Sequence, residues 1–207
     1  MTTARTQFRE LLWQQNPAAV QLLGLCPLLA VSQTVANAIG LAAATLFVLT
    51  GSNLAIALLR HQIPQPARLP AYMLVIGGFT TIAVLVLQAF SYDLFERIAL
   101  FLQIIVTNCV ILARAEQVAS RVGVGTAIGD GLMTGLAFAI VIITLGAVRE
   151  LMGHGTLFAD MNSLFGATAE DWRIDITERG MLVFALPPGA FIAFGLLLAA
   201  RNATIDR

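Results

Sequence analysis

The chain has no lysine, only two cysteines and only two histidines, and charged residues occupy 12% of its 207 positions. Each shortage excludes a class of protein. Twelve arginines balance twelve carboxylates, so there is no surplus of positive charge to hold a nucleic-acid backbone. Two cysteines are too few for a disulfide framework, and Cys26 and Cys109 do not form a C-x-x-C pair. So little charge, set against 58% hydrophobic residues and a mean hydropathy of +0.83, is incompatible with a soluble domain. Nearly uncharged runs of about 18 residues or more recur, which calls for spanning helices and not for the alternating strands of a barrel. Residues 1–16 carry Arg5, Arg9 and Glu10 with no short apolar core and no small-residue cleavage site, so no cleaved signal peptide is expected.

What is present centres on Leu22-Leu23-Gly24-Leu25-Cys26-Pro27-Leu28-Leu29-Ala30. Pro27 lacks a backbone N–H and its ring disfavours helical φ/ψ at Cys26, so a kink or break is expected at the cysteine-proline step. Within a bilayer such a break is tolerated only where protein covers it, which turns the step toward the inside of a bundle.

In chain order, Phe8, Leu11 and Leu12 share one face of a short helix expected to lie on the membrane within residues 1–16. Spans are then expected at 17–31, 38–59, 71–90, 98–113, 126–148 and 181–200. The first and fourth are too short to cross intact and are read as broken helices. Tyr72 and Tyr92 bracket the third span as an aromatic belt would. Gly125-x-x-x-Gly129 and Gly131-x-x-x-Gly135 offer close helix packing in the fifth. Pro187-Pro188-Gly189 falls inside the sixth. Arg114-Ala115-Glu116 and Arg149-Glu150 are read as interfacial anchors and salt bridges at opposite faces, with subunit contacts as the alternative, and 151–180 as a polar loop.

Six spans place both termini on one side. Arg5, Arg9, Arg60, Arg68, Arg114, Arg121, Arg201 and Arg207 share that side, against Arg97, Arg149, Arg173 and Arg179. The positive-inside rule makes the termini cytoplasmic and the 151–180 loop external. A shift of 83 residues lays Cys26 on Cys109, and three spans belong to each half, about 17–90 and 98–200. Odd-numbered repeats insert with opposite topologies, so the fold expected is an all-α membrane domain of six helices in two inverted three-helix repeats, filling 1–207 as one unit. Each cysteine then lies ~15–18 Å into the membrane from its own side.

Two cysteines at that depth have four readings: buried small hydrophobes, a disulfide between repeats, ligands to a metal or iron–sulfur cluster, or a reactive thiol. Cluster ligation needs four thiolates, so a second chain, identical or homologous, would supply the other two. Other polar residues have plainer roles. Gln88, Gln103, Thr107 and Asn108 are read as interhelical hydrogen-bonding groups, His61 and His154 as solvated, and Asp130 as an interfacial carboxylate. Gly123-Val124-Gly125-Thr126-Ala127-Ile128-Gly129 has the wrong last gap for a dinucleotide fingerprint and no βαβ context.

Gly24 to Val31, Val106-Thr107-Asn108-Cys109, Arg114-Ala115-Glu116, Asp130-Gly131, Arg149-Glu150-Leu151, Gly153-x-Gly155-Thr156-Leu157-Phe158 and Leu186-Pro187-Pro188-Gly189-Ala190-Phe191 together resemble the E subunits of Rnf ion-translocating electron transport complexes. The likeness runs from about residue 8 to 200. The D subunits of sodium-translocating NADH:quinone reductase share the cysteine and Arg-Ala-Glu motifs, but the proline after Cys26 and the Pro-Pro-Gly side with the Rnf family. The resemblance implies a bacterial inner-membrane subunit paired with a homologous A subunit. Cys26 and Cys109 would supply two of the four ligands to a shared [2Fe–2S] cluster. It further implies B, C, D and G subunits bearing the nucleotide and flavin chemistry, and electron transfer between ferredoxin and NAD coupled to movement of Na+ or H+. A secondary transporter with inverted repeats and no redox centre is the rival class.

Overall fold

The computed structural model describes residues 20–60, 62–90, 92–157, 174–175, 184 and 186–205. Among them are seven α-helices: α1 (Leu25–Val31), α2 (Val35–Leu59), α3 (Arg68–Phe90), α4 (Tyr92–Ile104), α5 (Cys109–Arg114), α6 (Val124–His154) and α7 (Pro187–Ile205). A 3-10 turn, Ile105–Thr107, links α4 to α5, and a π turn, Ala115–Ala119, extends α5. Four stretches, Val35–Leu59, Arg68–Ala89, Phe101–Ala119 and Val124–Gly153, are long and apolar enough to cross a membrane. The expected first and sixth spans run into residues outside the described ones, as do the N-terminal surface helix, His61 and most of the 151–180 loop. Of that loop, Thr156–Leu157 pairs antiparallel with Ile174–Asp175.

The frame of the fold is the pairing of α2 with α6, the most extensive helix contact among the described residues. Its sense is fixed by three glycines of α6. Gly131 lies against Thr50 and Asn53, Gly135 against Leu46, and Gly146 against Thr34 and Ala38. Positions advancing on one helix retreat on the other, so the two run antiparallel. Small residues let the backbones approach, which is how helices associate where lipid offers no hydrophobic drive. Around this pair Leu41, Val48, Leu49, Phe138, Ile142 and Leu145 form the core. The outward faces are also apolar: Leu74 is 79% and Leu58 62% exposed, a perimeter suited to lipid or to neighbouring subunits and not to water.

Gly125 and Gly129, by contrast, face open space. The two glycine pairs read alike in sequence, but only Gly131 and Gly135 lie on the packing seam. Gly135→Ala is expected to cost about 1–3 kcal/mol by overpacking against Leu46. Gly125→Ala should gain up to about 1 kcal/mol of helix propensity. Thermal unfolding of the two variants in the same detergent checks the contrast.

Several boundaries depart from expectation. Pro27 does not break the helix. It occupies the first turn of α1, where a missing N–H leaves no bond unmade, and the chain turns instead at Gly24 with φ +74°. Pro187 and Pro188 likewise open α7 and do not interrupt it. Helix α6 runs six residues past the expected stop at 148, carrying Arg149 and Glu150 inside the helix. Tyr72 is 1% exposed, packed with Ile56, Ala57 and Ala115 and not part of an interfacial belt.

Candidate cofactor site at the two cysteine helices

Each cysteine stands in the first turn of a short helix whose start is set by a different local device. At α1 it is Gly24, in left-handed conformation, a backbone state that only glycine adopts without strain. At α5 it is Asn108, whose Oδ1 accepts the Val110 N–H at 3.1 Å while its own N–H bonds Ile105 O at 3.1 Å. The turn at Asn108 interrupts the expected fourth span just before Cys109, so that span is broken as its sequence implied.

The two starts meet. A Cβ placed on Gly24 would lie 2.8 Å from Val110, 3.0 Å from Phe138 and 3.2 Å from Asn108 Oδ1. Gly24 precedes Cys26 by two residues, and Asn108 and Val110 flank Cys109. Both cysteine turns therefore sit together against Phe138, near the midpoint of the 31-residue α6. From there the helices lead to opposite ends of α6. The end of α1 is bonded to Arg149, and the end of α5, through Arg114, to Asp130 and Thr134.

Both thiols are free and exposed. Neither therefore fills a cavity of this chain's own core, and no bond joins them to each other. Asn108 is 2% exposed, yet its amide Nδ2 has no hydrogen-bond partner among the described residues. A buried donor left without an acceptor is costly. Gln103 and Thr107 are exposed, with Thr107 Oγ1 donating to Ile104 O at 3.2 Å, and Gln88 is exposed on α3. Only Asn108 of these four is buried as an interhelical polar group would be. Among the described residues no group of three or more His, Cys, Asp or Glu side chains converges.

Both arginines turn inward and are bonded within the chain. Arg114 reaches Asp130 at 3.2 Å and donates from Nε and Nη2 to Thr134 Oγ1 at 3.0 and 2.9 Å, with both charged side chains under one-fifth exposed. Asp130 is thereby a paired carboxylate inside α6 and not an exposed one. Arg149 and Glu150 are each 1% exposed. Arg149 donates to Leu29 O at 3.1 Å, Ser32 Oγ at 3.0 Å, Phe184 O at 3.2 Å and Leu186 O at 3.4 Å, while Glu150 accepts the Val35 N–H at 2.7 Å. An Arg-Glu pair after an apolar run reads in sequence as a helix leaving the membrane. Nothing in its local pattern announces that both side chains turn inward.

Arg114→Ala is expected to destabilise the chain by about 3–5 kcal/mol, because it leaves Asp130 charged and unpaired in a low-dielectric setting. The double variant Arg114→Gln/Asp130→Asn should recover most of that loss. Unfolding of the two singles and the double gives the coupling.

The family described as "Rnf-Nqr subunit, membrane protein" matches residues 4–198. The chain is 51% identical over 196 residues to a protein of Pseudomonas paraeruginosa (94% of this chain, 82% of that one). It is 48% identical over 193 residues to one of Pseudoalteromonas atlantica (92% and 83%). A relative from Haemophilus ducreyi is 48% identical over 193 residues (92% and 85%). All three are named as the E subunit of an ion-translocating oxidoreductase complex.

Proposed function

The chain belongs to the Rnf-Nqr family of membrane subunits, and we propose that it is an electron-carrying subunit of an ion-translocating oxidoreductase complex, holding half of a [2Fe–2S] cluster through Cys26 and Cys109. One observation carries the reading: Gly24 packed on Asn108 and Val110, which brings the two cysteine turns, 83 residues apart in sequence, to one place beside the middle of α6. The residues present suit the group. Two exposed thiols can face a second chain, and the buried, unpartnered Nδ2 of Asn108 is a donor of the kind that hydrogen-bonds cluster sulfur. When bound, such a cluster supplies one-electron transfer at a depth that divides a hydrocarbon core ~30 Å thick.

This chain's own residues supply position. Gly24 and Asn108 start the two helices, and Phe138 of α6 backs both turns. The antiparallel pair, and short helices leading to opposite ends of it, support an inverted-repeat arrangement, while hydropathy and the distribution of arginines support six spans with both termini cytoplasmic. A homologous membrane protein, the A subunit implied by the resemblance, would bring the other two thiolates, and the B, C, D and G subunits the nucleotide and flavin chemistry between ferredoxin and NAD. Movement of Na+ or H+ is the work to which the electron transfer is coupled.

The test is the visible and electron paramagnetic resonance spectrum of the chain co-purified anaerobically with its homologous membrane partner alone. A [2Fe–2S] signal supports the assignment. Iron-free, colourless protein that still supports complex assembly and electron transfer would overturn it and bring forward a transporter built on the same helices.

A further inference from the structure

We infer that Arg149 is the positioning residue for Cys26, clamping the half-helix α1 from the far end of α6. Helix α1 has seven residues, too few to be stable by its own hydrogen bonds. Its last carbonyls have no partner within the helix and need one from elsewhere in the chain. Leu28 O is met by Ser32 Oγ at 2.5 Å and Val31 O by the Gln33 N–H at 2.7 Å. Leu29 O is met by Arg149 Nη1 at 3.1 Å.

The same guanidinium reaches Ser32 Oγ and, on its other edge, the carbonyls of Phe184 and Leu186 just ahead of α7. Next to it Glu150 takes the first N–H of α2. The turn between α1 and α2 is therefore gripped from both sides by consecutive residues of one rigid helix. Leu29 lies one helical turn beyond Cys26, so whatever fixes Leu29 fixes the thiol. Cys109 is registered to the same helix by a different route, its own half-helix carrying Arg114 to Asp130 and Thr134. Helix α6 thus sets the separation of the two cysteines from its two ends.

The residue type follows from the geometry. A planar guanidinium donates in several fixed directions at once, whereas a lysine ammonium is a point charge that cannot serve acceptors on both edges. Retaining the charge is not enough.

The inference rests on Cys26 and Cys109 acting as a ligand pair, so its test is read without iron. They are the chain's only cysteines, and nitroxide labels can be attached to both in the full chain in lipid nanodiscs without further mutation. Dipolar spectroscopy should give one narrow separation for the native chain. Arg149→Lys should lower the ratio of clamped to released α1 by about tenfold, the factor carried by one charge-assisted hydrogen bond, and broaden the distribution. Ser32→Ala, which removes one acceptor of Arg149 and the donor to Leu28 O, should shift it the same way by less.

An unchanged separation in Arg149→Lys overturns the clamp. If that variant does not fold, an unchanged separation in Ser32→Ala overturns it. In the complex, Arg149→Gln should move the midpoint potential of the iron centre below that of Arg149→Lys, since losing a buried cation disfavours the added electron. Absence of iron from the native complex would overturn the ligand-pair reading alone, leaving the spin-label result to decide the clamp.

Discussion

Cys26→Ser and Cys109→Ser are each expected to remove the [2Fe–2S] signal completely while leaving the unfolding temperature nearly unchanged. Both parts follow from the same observation. The thiols are exposed in this chain, so a serine of nearly the same size empties no cavity and buries no new hydroxyl. A serine hydroxyl does not ionise as a thiol does, however, and thiolate is the form that binds iron. Under the proposed ligand set, two thiolates from each of two chains, neither pair can compensate for a missing member. Loss should therefore be all-or-none and equal for the two positions, although they lie on different helices. The measurement is iron content and the resonance spectrum of each variant beside its thermal unfolding curve. Variants that keep the signal would remove these cysteines from the ligand set, and variants that lose the fold would make them structural.

The sequence made the membrane class legible because apolar runs and stopping charges are one-dimensional signals, and α2, α3 and most of α6 lie where hydropathy puts them. The break at Asn108 was legible through the shortness of its span. Other features were hidden by their dependence on tertiary contact. A proline in an apolar run means a kink inside a helix or a comfortable first turn at its start, and Pro27 is the second because Gly24 ends the preceding segment. Arg149 and Glu150 look like a membrane exit in sequence. The carbonyls they serve come from α1 and from the chain before α7, more than thirty residues away in one direction and more than a hundred in the other. The glycine pairs of α6 are indistinguishable until α2 is laid against one of them. The two cysteines could be related by a shift and by depth, but the contact that joins their turns was hidden, because Gly24, Val110 and Phe138 carry no chemistry that marks them.

Gly24→Val is expected to destabilise the chain by about 2–5 kcal/mol and to abolish cluster binding even where the chain still folds. Two costs add. At φ +74° a β-branched residue is strained whatever space surrounds it. The new side chain would also enter a contact where the first carbon already lies 2.8 Å from Val110 and 3.0 Å from Phe138. Relief can come only by moving the Cys26 turn away from the Cys109 turn, since Phe138 is anchored in α6. A second substitution separates the two costs. Gly24→Ala/Val110→Ala removes the nearest neighbour but not the strained φ, so it should regain part of the stability and most of the iron that Gly24→Ala loses. Calorimetry in detergent reads the first quantity, and iron per chain after anaerobic purification with the partner reads the second. Full iron in Gly24→Val would mean that the two turns need not touch for the site to form, and the contact on which the proposed function rests would be packing alone.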